Sequence, residues 1–152
     1  MSRPRGVPAR AGAVGRRRGG YAAAMPTVEE MQETVRRYAA AHSAGDPDPA
    51  APAFPPHPVV ADPVDRPAHE GRDAVRAFFA GTHEFVDVME LRITGPIRAV
   101  GSWAAVPLQA VSTIGDSRVA VDIIDVFTFG DDGLVTDMRA YWSDADIRPY
   151  ED

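Results

Sequence analysis

The chain has 152 residues, 45% of them hydrophobic, a length and make-up that fit one ordinary soluble globular domain. It contains no cysteine, and all 16 of its basic residues are arginine. That excludes disulfides, a cysteine nucleophile, zinc–thiolate sites, Schiff-base chemistry and lysine general bases, and no apolar run is long enough to cross a bilayer.

Charge is unevenly placed. Residues 1–24 hold six arginines and no acid, whereas 25–152 hold the remaining ten arginines against all 22 acids. The basic stretch is rich in Gly, Pro and Arg and has almost no large apolar side chain, so 1–24 reads as a disordered tail. Only YAAA follows its paired arginines before Pro26, with no apolar segment, so an export signal is not expected. Contact of such a tail with nucleic acid or anionic lipid is one reading; the expected one is a solvated tail or Met25 as the true first residue, with a cytoplasmic placement. The acidic remainder, 25–152, is the expected folded domain and argues against nucleic acid as its main partner.

Thr27-x-x-Glu30 has the form of a capping box. Met31, Val35, Tyr38 and His42 then form one stripe of a helix predicted over about 27–44, with Gly45 as its left-handed stop. Residues 46–58 carry six prolines, which exclude a long helix and leave room for a short turn around Ala50–Phe54. VVADP (59–63) reads as a short extended piece ending at Asp62, because Pro63 biases that residue away from helix. A second helix follows, with Gly71 as N-cap, Asp73 in its first turn and a stripe of Val75, Phe78, Phe79 and Thr82. Beyond residue 86 come five strand patterns separated by turn signals, and Pro107 inside the third implies an edge, a bulge or a strong bend. Helices followed by hairpins predict an α+β fold, with the helices on one face of a curved antiparallel sheet.

Asp125 stands out chemically. In Val119–Phe129 the odd positions share one face of a strand, and they read Val, Val, Ile, Asp, Phe, Phe. A carboxyl group in that apolar row is desolvated, which favours its neutral form and makes it a hydrogen-bond donor. The competing reading is a structural acid paired with a buried arginine, but no arginine shares that face. Asp62, flanked by valines, and Tyr38, on the inward helix stripe, are weaker signals when each is taken alone.

Taken together, the segments VRRYAAAHSAGD (35–46), VADPVDRP (60–67), EGRDAVRAFF (70–79), VDIIDVFTF (121–129) and MRAYWS (138–143) are specific. From about residue 27 to 146 the chain resembles the ketosteroid isomerases of the SnoaL-like superfamily, which have the cone-shaped nuclear-transport-factor-2-like (NTF2-like) fold. The resemblance implies Asp62 as general base, with Tyr38 and a protonated Asp125 as oxyanion donors, an assignment that is the family's own. It also implies a homodimer packed through the sheet. Met138 and Trp142 match residues lining the family's steroid pocket. Phe54 and Phe79 stand where well-known members have tyrosines, so Tyr38 would depend mainly on Asp125. Val106 and Leu108 complete the expected apolar wall.

The resulting expectation is a cofactor-free isomerisation of a small apolar ketone, without a metal and without a membrane partner. Neither a Walker loop, a dinucleotide fingerprint nor a serine-hydrolase elbow is present. His42, His57, His69 and His83 read as surface or cap residues rather than metal ligands. Two alternatives share the scaffold: an epoxide hydrolase/cyclase or polyketide cyclase, and a non-catalytic steroid- or lipid-binding module.

Overall fold

Thr27 and Glu30 open the first helix as the sequence predicts. Glu30 N–H donates to Thr27 Oγ1 at 3.1 Å, and Thr27 N–H donates to Glu30 Oε2 at 2.8 Å. Helix α1 runs Val28–Ser43 and buries Met31, Val35, Tyr38, Ala39 and His42. Gly45, at φ 74°, takes the left-handed conformation that a side chain resists and turns the chain out of the helix. This computed structural model describes residues 25–152, so the expected basic tail lies outside the described residues.

The Pro-rich segment forms turns and is tied down at both sides. Val135 N–H donates to Ala53 O at 2.7 Å, and Arg72 Nη2 donates to Phe54 O at 2.6 Å. Ala50 and Phe54 are buried there. Strand β1 (Val59–Ala61) leads into Asp62, and β2 (His69–Glu70) folds back on it antiparallel. Helix α2 (Arg72–Glu84) starts at Gly71, which sits at φ 87°. Val75 and Phe79 are its buried residues, with Phe78 and Thr82 half-buried beside them.

The five expected strands follow: β3 (Val88–Ile93), β4 (Arg98–Val100), β5 (Trp103–Ile114), β6 (Ser117–Phe129) and β7 (Val135–Tyr141), with a sixth, unexpected one after them. A single 3-10 turn (Asp144–Asp146) and β8 (Ile147–Pro149) end the chain. One open sheet orders its strands β2-β1-β7-β6-β5-β3, with β4 also on β5 and β8 also on β6. Among the described residues only the β1–β7 pairing is parallel. Pro107 sits where β5 passes from β4 to β3 and is left locally without a strand on that side. Its carbonyl accepts from Thr94 N–H at 3.0 Å, so the missing proline donor faces a turn.

Both helices therefore belong to one mixed sheet in an α+β fold, as expected. The odd positions of β6 face inward: Asp125, Phe127 and Phe129 are buried, and Val121 and Ile123 are half-buried. Ile124, on the opposite face, is 52% exposed.

Candidate active site

The inner face of the sheet and the two helices enclose a cavity of about 670 Å³, a volume typical of small-molecule sites. Helix α1 contributes Tyr38 and His42, the turn after β1 contributes Asp62, and Trp142 closes in from the residue after β7. Phe78 and Phe79 of α2, Leu91 of β3, and Val121 and Ile123 of β6 supply apolar wall, and Asp125 projects from β6 into the same space.

Asp125 lies opposite Val106 of β5 and Ala140 of β7, a buried apolar pair, and is 4% exposed. Burial is the largest cause that pushes its pKa well above the ordinary carboxylate value, and the charge of Asp62 pushes the same way. The ion pairs of the described residues go to other acids. Asp62 is in a different situation. Burial raises its pKa too, but Trp142 Nε1–H donates to its Oδ1 at 2.6 Å and opposes that rise, as does the nearby His69. A hydrogen bond of this kind stabilises the charged form. Tyr38 is held as a neutral phenol by burial first, then by the charges of Asp125 and Asp62.

The cavity thus brings together Tyr38, Asp62 and Asp125, along with Phe79 and Trp142 from the expected wall. Phe54, Val106, Leu108 and Met138 lie elsewhere, in the solid core with Met31 and Val35 of α1. The last three do sit on the inner side of the sheet, Val106 and Leu108 opposite Asp125 and Ile123, but their side chains are closed off in the packed core. Alternation identifies the face of a strand and not which side chains on that face stay open. Phe54 stacks on the Tyr38 ring at 6.3 Å and Phe79 meets it edge-on at 5.9 Å. Neither can hydrogen-bond the phenol.

Wall residues missed from the sequence include Met89 and Leu91 of β3 and Ala110 of β5. His42 corrects an expectation, being buried in the cavity wall rather than on the surface. Its place four residues after Tyr38 on the apolar stripe was the available signal. Among the described residues no three His, Asp or Glu side chains gather as metal ligands, and no helix is long and apolar enough to cross a membrane.

Two helices on one face of an open mixed sheet, enclosing an apolar cavity with a phenol and two carboxyl groups in its wall, are the arrangement of the nuclear-transport-factor-2-like class. Residues 35–138 match the SnoaL-like domain family, and the chain belongs to it. It is 32% identical over 121 residues to a steroid Delta-isomerase of Nocardioides simplex, covering 78% of this chain and 94% of that protein. Among solved structures it is similar to SalBIII, an epoxide hydrolase/cyclase-like enzyme with a role in pyran ring formation in the polyether salinomycin. The TM-score is 0.73 with 28% identity, over 80% of this chain and 97% of that one. Both relatives are enzymes, and so is this chain as a member of their family.

Proposed function

We propose that the protein moves the double bond of a 3-ketosteroid, or a similar apolar β,γ-unsaturated ketone, from Δ5 to Δ4 through a dienolate. The observation that carries this reading is that two buried carboxyl groups share one cavity and only one of them has a donor to hold its charge. Asp62 has a donor that favours its charge, while Asp125 has burial and a neighbouring charge that favour its proton. The similarity to a steroid Delta-isomerase supports the same chemistry.

Ionised Asp62 takes a proton from the carbon α to the ketone and returns it to the γ carbon, and the π electrons shift into conjugation. The developing dienolate oxygen accepts hydrogen bonds from the Tyr38 hydroxyl and from protonated Asp125. Donors preset in a dry cavity need no reorganisation as charge develops. The raised pKa of Asp62 makes it a stronger base while Trp142 keeps it ionisable, a compromise suited to proton abstraction near neutral pH.

Incubation with a Δ5-3-ketosteroid, followed by conjugated-enone absorbance, tests the reading. Growth of the signal that Asp62→Asn suppresses supports it. Slow growth indifferent to that substitution, with tight binding of a phenolic steroid, supports a binding module instead. Consumption of an epoxide without enone formation supports hydrolase or cyclase chemistry, the reading that the likeness to SalBIII favours.

Trp142→Phe is expected to shift the acid limb of kcat/KM to higher pH. The substitution removes the indole donor that opposes the burial-driven rise of Asp62. A pH–rate profile with its acid limb unmoved would show that the bond does not hold the charge on Asp62.

The outer face of the sheet supports a homodimer. Val100, Trp103, Ile124 and Tyr141 face out there and are 74%, 54%, 52% and 47% exposed, and the strand register sets Val100 beside Trp103 and Ile124 beside Tyr141. Covering such a patch with a second copy removes apolar surface from water. Ile124→Arg is expected to convert a dimer to a monomer in sedimentation measurements, whereas an unchanged mass would place the contact elsewhere.

A further inference from the structure

The cavity has two ends of different character. Tyr38 and Asp125, the donors assigned to the carbonyl oxygen, are buried. Of the residues that line the space only Arg66 and Pro67 are exposed, so they mark where it opens to water. Both belong to the loop between Asp62 and β2, and that loop is pinned along its length. Val64 N–H donates to Ala140 O at 2.9 Å, Arg66 N–H donates to Pro63 O at 3.0 Å, and Gly71 N–H donates to Pro58 O at 2.8 Å. Pro67 further restricts the backbone of the arginine before it.

Arg66 is unpaired in a domain where partners are plentiful, with 22 acids against ten arginines. Seven of those arginines stand in ion pairs and Arg72 donates to the carbonyl of Phe54, which leaves Arg66 and Arg98. Arg98 is on β4, outside the cavity lining. Among the described residues no carboxylate lies within ion-pair distance of Arg66, and residues 1–24 contain no acid that could supply one. An arginine at such an edge lays its aliphatic stem on apolar wall and keeps its charged head in water. The guanidinium is always charged, and its planar fork of donors matches the two oxygens of a carboxylate.

We propose that Arg66 is a specificity residue that binds a carboxylate carried by the substrate at the end remote from its ketone. This deepens the ketone reading above, on which the orientation of the ligand rests. Phe78, Leu91 and Ile123 line the space and suit the apolar skeleton. Tyr38 and Asp125 take the carbonyl oxygen, Asp62 moves the proton, and Arg66 holds the outer end without touching the reacting atoms. At the mouth the carboxylate keeps much of its water. At the inner end it would meet the charge of Asp62 in a dry wall, so the same group also decides which end of the skeleton enters first.

The test uses the full chain and conjugated 4-ene-3-ketosteroids, which bind without being turned over. One carries a carboxylate on the ring farthest from the ketone, and it is compared with its methyl ester and with a sulfate ester at the same position. By calorimetry at low salt the acid is expected to bind about fivefold tighter than the methyl ester, the size of an ion pair at a solvent edge. That margin should shrink as salt is raised. Arg66→Gln should bring acid and methyl ester to within about twofold of each other while leaving the ester unchanged, and Arg66→Lys should keep part of the margin. In turnover of the matching Δ5 acid, Arg66→Gln should raise KM and leave kcat alone, because the contact is the same in the ground and transition states. Acid and methyl ester that bind alike, or a margin that survives Arg66→Gln, would overturn the subsite, and conversion of the Δ5 methyl ester would then leave the ketone reading standing. A sulfate ester that binds tighter than the acid would overturn the carboxylate assignment. Arg66-dependent binding of the acid without isomerisation of any ketone would overturn the ketone reading and keep the subsite as one for binding alone.

Discussion

Asp62→Asn is expected to lower turnover of a Δ5-3-ketosteroid by about 10²- to 10⁴-fold, the usual contribution of a positioned general base. Asparagine has nearly the shape of aspartate and can accept from Trp142 Nε1–H through its carbonyl, so the cavity wall is kept while the basic lone pair is lost. Binding of a conjugated ketone should change far less than turnover. Enone absorbance followed under single-turnover conditions separates the two effects. In the wild type, kcat/KM should fall as pH drops through the raised pKa of Asp62, because only its ionised form takes the proton. The Asn variant should lack that acid limb. A loss smaller than tenfold would assign the base role to another group.

The second large effect concerns Asp125, and it acts in opposite directions on stability and on activity. Its pKa in the folded chain is raised well above 3.8, by burial first and by Asp62 second. A group with a raised folded pKa contributes stability that is full below its unfolded value and is lost as pH rises towards the folded one. Each pH unit within that window costs the wild type about 1.4 kcal/mol, because folding must put a proton on an acid that the unfolded chain leaves ionised. Asp125→Asn carries no such cost. The variant should therefore gain on the wild type steadily as denaturation is measured from pH 4 towards neutrality. Its activity should fall only modestly, because the amide N–H still donates to the dienolate oxygen. Asp125→Leu keeps the stability gain and removes the donor, and is expected to lose about 10²- to 10³-fold in turnover. A wild type whose stability does not fall relative to Asp125→Asn over that range would mean that Asp125 folds ionised.

Much of this site was legible before any coordinates. Thr27 and Glu30 announced α1 by capping chemistry alone, and Gly45 and Gly71 marked the ends of the elements where positive φ is found. The alternation of β6 set Asp125 on the inward face because a period of two leaves no other choice once Phe127 and Phe129 face the core. Strands β2 and β8 were missed because His69–Glu70 and Ile147–Pro149 are too short for periodicity and, unlike β1 and β4, carry no apolar run to mark them. Val106, Leu108 and Met138 were assigned to the correct face but are packed in the core rather than open to the cavity, a tertiary fact that alternation does not carry. His42 was misread for a related reason. Histidine is intermediate in burial, so its type decides nothing; its place on the stripe of Met31, Val35 and Tyr38 was the signal, and the packing of α1 against α2 encloses it.

The protonation state of Asp125 tests the central claim most directly. Difference infrared spectroscopy of the wild type against Asp125→Asn, at neutral pH with a phenolic steroid bound, reads it without reference to rate. The account predicts a carboxylic acid C=O band that shifts in deuterium oxide and vanishes in the variant. A carboxylate band in its place would contradict the account.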